Sequence, residues 1–526
     1  MKFYLPYLFF LFCFPFQELQ AQQYDILIKN GTVYDGLGFE PVKVNIGIKG
    51  DKIKALGALK NATAPKVIDA TGLAIAPGFI DLHAHINNLP KMPTAESALR
   101  QGVTLLLGGP DGGGPLDFKI YLDSIDQLQL GVNVAYQVGH NVIRKKVMGL
   151  DDRAPTADEL EKMRGYVKEA MEHGAFGLST GLAYLPGTFS DTEEIISLAK
   201  VAASYGGFYT SHIRDESLNL IKAVKEAIII GKKANITVVL THHKALGAAM
   251  WGASKETLRM VDSANNQGLD IRLDQYPYTA SSTSLAALVP SWAKAGGSEA
   301  FKERIAQSDL RDSIRMGIIY NIVNVRVGQE IERLQFRSFQ WKKNLEGKTM
   351  ADWARMENLK PTPENAADLI IQAELNGGAK MIYHVMHSDD VDRIMRHPLT
   401  MIASDGKLSQ IGKNHPHPRS YGTFPRVLGY YVRERAVLDL EVAIKKMTSM
   451  PADLLGMKSR GRIAENSYAD LVLFNPETIK DNSTFEDPHH YPSGIPYVIV
   501  NGIISIENGE LTGNRSGKLL LSPTKK

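Results

Sequence analysis

The residues of this chain best suited to chemistry are histidines and aspartates that close short apolar runs. In Ala76-Pro-Gly-Phe-Ile-Asp-Leu-His-Ala-His85 two imidazoles stand in a His-x-His spacing. Along a strand that spacing puts Asp81, His83 and His85 on one face, so both imidazoles reach the same ion. His212 closes Gly207-Phe-Tyr-Thr-Ser211, and His242 closes Ile236-Thr-Val-Val-Leu-Thr241. Asp111 follows the run Val103 to Gly108, and Asp405 ends Thr400-Met-Ile-Ala-Ser404 with a glycine behind it. Neutral imidazoles and carboxylates suit zinc or a similar divalent ion, with one position left open for water. Such an ion lowers the pKa of bound water from about 15.7 toward 7 and polarises a carbonyl, so hydrolysis is the expected use. Asp405 is placed to take a proton from that water and pass it to a departing amine. A strand-end Asp-Gly also suits a turn, and a turn aspartate is the plain alternative at Asp111.

For these residues to meet, the elements that carry them must converge. Eight apolar runs are expected to be strands: Leu73 to His83, Val103 to Gly108, Val132 to Gly139, Ala175 to Thr180, Gly207 to His212, Ile236 to His242, Leu269 to Asp274 and Thr400 to Asp405. Helical stretches such as Thr156 to His173, Thr192 to Ser204, Glu216 to Ala234 and Lys255 to Asn266 alternate with them. The pattern predicts an α/β chain, a (β/α)8 TIM-like barrel over 73–460 whose active site lies at the C-terminal strand ends. The interval from Pro277 to Leu399 is too long for one connection, so an inserted, largely helical subdomain is expected at about 280–395. Short β-rich runs punctuated by Asn-Gly and Gly-Asp occur at both ends of the chain. They predict a small β-sandwich domain from 22–72 and 461–526, its first part an antiparallel sheet.

The chain has 526 residues, 44% of them hydrophobic and 22% charged, enough for a large core. A formal charge of +3 without long like-charge runs argues against nucleic acid as a partner. Met1-Lys2, an apolar stretch to Phe16 and Ala21 at the end of a polar segment predict a cleaved export signal over 1–21. About 14 apolar residues fall short of the roughly 20 needed for a membrane anchor. The expected location is therefore periplasmic or secreted. The one cysteine, Cys13, lies in that segment, so the mature chain would offer neither a thiol ligand nor a thiol nucleophile.

Several longer motifs resemble those of the amidohydrolase superfamily, and within it the D-aminoacylase family of N-acyl-D-amino-acid deacylases. They are Pro77-Gly-Phe-Ile-Asp-Leu-His-Ala-His85, Gly174-Ala-Phe-Gly-Leu-Ser-Thr-Gly-Leu-Ala-Tyr-Leu-Pro-Gly187, Thr210-Ser-His-Ile-Arg-Asp-Glu216, Thr241-His-His-Lys244, Tyr276-Pro-Tyr278, Ser404-Asp-Gly406 and His417-Pro-Arg-Ser-Tyr-Gly-Thr-Phe-Pro-Arg426. The resemblance implies His83, His85, His212 and His242 as metal ligands and Asp405 as the acid/base. It also implies that Tyr184, Lys244, Tyr276 and Arg419 surround a substrate carboxylate, with His140 in a supporting role only. At one place the sequence departs from the family: Gly109-Pro-Asp-Gly112 stands where these deacylases carry a cysteine ligand. Asp111 takes that position, and an oxygen ligand relaxes the preference for zinc, so one or two divalent ions are expected. The implied activity is metal-dependent hydrolysis of N-acyl-D-amino acids, small-molecule substrates. The alternatives are a cyclic-amide hydrolase of hydantoinase or dihydroorotase type and a non-catalytic exported barrel protein. A stretch of three residues is inserted between Asp405 and Arg419 relative to the family pattern, which leaves the place of Arg419 in the pocket open.

Overall fold

The computed structural model describes residue 1 and residues 23–523; the expected export segment lies, apart from Met1, outside the described residues. Eight parallel strands follow one another around a barrel. They are β1 (Phe79–Asp81), β2 (Val103–Gly108), β3 (Asn133–Tyr136, resuming at Val138–Gly139), β4 (Gly177–Gly181), β5 (Phe208–His212), β6 (Val238–Leu240), β7 (Ile271–Gln275) and β8 (Thr400–Ile402). Neighbours pair in register from β1 to β8, with β3 interrupted at Gln137. β8 and β1 close the ring through their extensions: Gly406–Lys407 pairs in parallel with Ala84–His85, and Asp81 accepts hydrogen bonds from the Ser404 amide (2.9 Å) and hydroxyl.

The helices between strands carry clear start and stop signals. Thr156 and Glu159 form a reciprocal cap at the head of Ala157–Glu172, and Asn235 ends Leu220–Ala234 in the left-handed conformation. The apolar faces of these helices pack on the outside of the sheet in one continuous core that includes Val167, Ile195, Val224, Ile230 and Val261.

The expected strand from Leu73 to His83 is two strands. Ala74–Pro77 pairs antiparallel with Leu471–Phe474 in a second sheet, and only Phe79–Asp81 belongs to the barrel. Gly78 is the joint: a Cβ there would lie 2.3 Å from the Thr104 side chain, and its N–H is bonded to Asp470 O. Ala74–Pro77 belongs to a seven-stranded sheet built from both ends of the chain. A four-stranded sheet of Lys52–Gly57, Asn45–Lys49, Ile26–Lys29 and Lys66–Asp69 faces it. Ile28, Ile48, Ile68, Ile75, Leu473 and Ile499 fill the space between the two sheets. The four-stranded sheet is mixed rather than antiparallel, because Ile26–Lys29 runs parallel to Lys66–Asp69. Beyond the sandwich, residues around Gly517 to Leu520 run along β3 at Leu130 and Val134.

The segment between β7 and β8 has its own apolar core around Trp353, Phe336, Phe339, Ile314 and Ile370. It contains helices, as expected, and also an antiparallel sheet of Ser281–Ser284, Lys380–Tyr383 and Leu334–Ser338. Helix Ser388–Arg396 returns to the barrel, where Val391, Ile394 and Met395 join the main core.

Candidate metal centre and substrate cavity

The five candidate ligands meet at the C-terminal rim of the barrel. Donor atoms of His83, His85, Asp111 and Asp405 lie within 4.8 Å of one another, and so do those of Asp111, His212 and His242. Asp111 is common to both groups. Its Oδ1 lies 3.4 Å from His83 Nε2, 3.4 Å from His242 Nε2 and 3.9 Å from His212 Nδ1, while its Oδ2 is 3.5 Å from His85 Nε2. Asp405 Oδ1 lies 3.0 Å from His85 Nε2 and 3.6 Å from His83 Nε2.

Backbone conformation aims these side chains. Asp111, His242 and Asp405 have φ of +55°, +37° and +47°, a region that non-glycine residues rarely occupy and that concentrates at functional sites. Asp111 sits in a tight loop with Gly109 and Gly112, both also left-handed; a Cβ on Gly112 would meet Asn141 Oδ1 at 2.0 Å. After β6 the chain turns His242 inward and His243 away. Asp274 on β7 fixes that turn by accepting from the His242 amide at 2.6 Å on Oδ1 and from the His243 amide at 2.8 Å on its carbonyl.

The atoms here suit a cation. Both ring nitrogens of His83 and Oδ1 of Asp111 are buried without a hydrogen-bond partner, an arrangement that costs free energy unless a ligand completes it. Burial and Lys244 push His242 down, but Glu216 and Asp111 outweigh them and hold it up at about 10. Burial first, then His242 and Lys244, outweigh Glu216 and Asp111 and drive His212 the other way, to about 4. For Asp405, burial favours the neutral acid, yet Arg419 and then His85 overcome it and hold the carboxyl well below the usual range. Buried carboxylates kept ionised beside imidazoles create the negative field that a divalent ion needs.

The remaining predicted residues fall around this centre. Lys244 Nζ lies 2.7 Å from His242 Nδ1 and is paired with Glu216. Arg419 reaches the centre: it heads helix Arg419–Arg426 and its Nη1 lies 2.9 Å from Asp405 Oδ2, an ion pair off the line of a hydrogen bond. Tyr184 packs its ring 4.4 Å from that of His212 and shares a 3.1 Å hydrogen bond with Thr283 of the inserted sheet. Tyr276 lies face-on under Arg419, with the guanidinium 4.7 Å from the ring centre, and its hydroxyl is buried without a partner.

Other polar residues in or near these motifs lie outside the ligand groups. Asp81 ties β1 to Ser404 and does not join the ligand groups, because its carboxylate is spent on closing the barrel. His243 bonds Thr257 at 2.7 Å, His415 lies 2.6 Å from Phe485 O, and His140 pairs with Glu194 at 2.7 Å beside Arg144.

Glu216, which ends the motif Thr210-Ser-His-Ile-Arg-Asp-Glu216, is a further functional residue that the sequence reading does not single out. It is buried, with Oε1 3.0 Å from His242 Nδ1 and Oε2 3.6 Å from His212 Nε2, so it reaches the far nitrogens of two candidate ligands. A carboxylate four residues after a strand-end histidine was the available signal.

Residues 66–309 and 346–506 match the amidohydrolase family. D-aminoacylase of Alcaligenes xylosoxydans xylosoxydans is 33% identical, over 96% of this chain and 99% of the relative. The chain is an amidohydrolase of the D-aminoacylase family. Two solved members of the family superpose with a TM-score of 0.81 over 95% of this chain and all of the other. One, 32% identical, is a D-aminoacylase studied for the role of its binuclear metal centre. The other, 31% identical, is an N-acyl-D-glutamate deacylase of Bordetella bronchiseptica with zinc and a phosphonate mimic of the tetrahedral intermediate. Amidohydrolases of this family thus provide the frame for the site: an enzyme of barrel fold that binds metal and hydrolyses amide bonds. Above the ligands lies a cavity of about 930 Å³, walled by barrel loops on one side and by the inserted subdomain on the other.

Proposed function

We propose that this amidohydrolase is a zinc-dependent deacylase that cleaves N-acyl-D-amino acids to a carboxylate and a free D-amino acid. The observation that carries the reading is the pair of ligand groups sharing Asp111, on a chain similar over almost its whole length to D-aminoacylase. His83, His85, Asp111 and Asp405 would hold one cation, and Asp111, His212 and His242 a second, with Asp111 in the role that a cysteine plays in the family pattern. When bound, such ions acidify water and polarise the amide carbonyl.

The chain's own residues do the rest. Arg419, Lys244 and the hydroxyls of Tyr184 and Tyr276 receive the α-carboxylate, the planar Arg fork matching it bidentately. A carboxylate arriving at Arg419 competes with Asp405 for the same guanidinium. Asp405, relieved of part of that charge, becomes basic enough to take a proton and deliver it to the leaving nitrogen. Glu216 holds the far nitrogen of His242 and keeps that ring oriented. The apolar start of the sequence supports export to the periplasm or beyond, which cell fractionation would check. Among the described residues no helix is long and apolar enough to cross a membrane.

The decisive test couples elemental analysis of the purified protein to turnover of N-acetyl-D-methionine, its L enantiomer and hydantoin. Stoichiometric metal and activity on the D substrate are expected. Turnover confined to the L series, or a preference for hydantoin, would overturn the assignment, the latter in favour of a cyclic-amide hydrolase.

A further inference from the structure

The cations nearest the ligand groups already have acidic partners: Lys244 has Glu216, Arg419 has Asp405, and Arg214 has Glu226. Five more line the same cavity without a carboxylate within 4.0 Å among the described residues; Lys294 donates to Ala286 O and Arg326 lies over the Tyr383 ring, which leaves Arg337, Lys380 and Lys407. Arg337 lies on Leu334–Ser338, Lys380 opens Lys380–Tyr383, and Lys407 lies on the short strand that pairs with His85.

Their placement follows from the inserted sheet. Lys380 stands opposite both Ser284 and Ser338, and the ladder is irregular between Phe336 and Ser338, at Arg337. The three feel one another. Burial first, then repulsion from Arg419, brings Arg337 down to about 10. Lys380 is lowered by burial and then by Arg337. Glu374 lies near enough to soften Lys380, but it acts on Lys294 more strongly. Glu374 and, at Arg337, Asp405 act only from a distance, so cations gathered in this concave wall with no carboxylate in contact repel one another at a cost to folding, which an incoming anion removes.

We propose that Arg337, Lys380 and Lys407 form a second anion subsite, so that the preferred substrate is a dianion, an N-acyl-D-amino acid bearing a further carboxylate besides the α-carboxylate. This rests on the deacylase reading above. The extra carboxylate has two possible carriers, the amino-acid side chain or the acyl group, and the same cations would receive either. Lys407 sits at the mouth beside His85, and Lys380 and Arg337 sit on the insertion. The second charge is therefore read partly by barrel and partly by insertion.

Three substrates separate the cases: N-acetyl-D-methionine as the monoanion, N-acetyl-D-glutamate with the second charge on the side chain, and N-succinyl-D-methionine with it on the acyl group. At least one dianion should exceed the monoanion tenfold or more in kcat/KM, mainly through KM, and added salt should erode the preference. Arg337→Gln, and separately Lys407→Gln on an exposed side chain, should each cut the dianion-to-monoanion ratio of kcat/KM at least tenfold. Whichever dianion loses its advantage identifies the carrier. If N-acetyl-D-methionine is hydrolysed as well as both dianions, or the ratio survives both substitutions, the subsite is refuted while the deacylase stands. If metal-loaded protein hydrolyses none of the three, the deacylase reading itself fails and takes the subsite with it.

Discussion

Replacing Asp405 by Asn tests the chemistry with the least disturbance to the fold. The side chain is buried at the meeting point of His85 (3.0 Å), His83 (3.6 Å) and Arg419 (2.9 Å). Its φ of +47° is one that Asn tolerates at least as well as Asp, so the strand-end conformation should survive the change. The amide occupies the same volume but can neither hold a transferable proton nor neutralise Arg419. Loss of a positioned acid/base removes about 10²- to 10⁴-fold in rate, which at 1.36 kcal/mol per decade is about 2.7–5.5 kcal/mol of transition-state stabilisation. The loss should fall on kcat with N-acetyl-D-methionine. Asp111, His212 and His242 are untouched by the change, so at least one ion per chain should remain. The assay is initial-rate release of free D-amino acid, with metal content and thermal unfolding recorded on the same preparation. A variant that keeps its metal and retains kcat within tenfold of the parent would refute the role given to Asp405.

Three other perturbations probe separate parts of the structure. Asp111→Ala should lower metal content more than loss of any single histidine, because Asp111 alone belongs to both ligand groups, and Asp111→Cys should shift retention toward zinc; elemental analysis after dialysis against a mixture of divalent ions reads both. Glu216→Gln should weaken metal affinity about 10- to 100-fold, the usual effect of removing the partner that orients a ligand imidazole; competition with a chromogenic chelator measures it, and retained affinity would make Glu216 merely structural. Glu159 is held down at about 2 by Arg153 and by the Thr156 amide. Its stabilising contribution is therefore present above the ordinary glutamate range and lost as pH falls through that range toward 2. The Tm gap between the parent and Glu159→Gln should accordingly narrow on acidification from pH 6 toward pH 3, and a constant gap would contradict the assignment.

Much of the barrel was readable because its signals are local. Several strands are short apolar or β-branched runs, as in Thr237-Val-Val-Leu240, and the helix Thr192–Ser204 begins behind an Asp cap where its periodicity does. The strand ends were less readable, since left-handed residues such as His242 and Asp405 stop the ladder before the apolar run ends. The run from Leu73 to His83 misled for another reason. Its two halves look alike in composition, and only the approach of Thr104 and Asp470 at Gly78 assigns them to different sheets.

By itself the sequence determined which donors exist, that they stand at or just past strand ends, and that, with Cys13 the one cysteine, the set is built from histidines and aspartates. Those are properties of residue type and spacing, and they follow from the strand's period of two and from the parallel order of βα units. Only the tertiary structure decided that Asp111 lies between both groups of imidazoles, that Asp81 is spent on Ser404, and that Glu216 backs two histidines. It alone brought Arg337 and Lys380, far along the inserted segment, to the wall that Lys407 and Arg419 share. Such relations depend on how the insertion packs across the barrel mouth, through contacts between residues distant in the chain, and no local pattern of side chains encodes them.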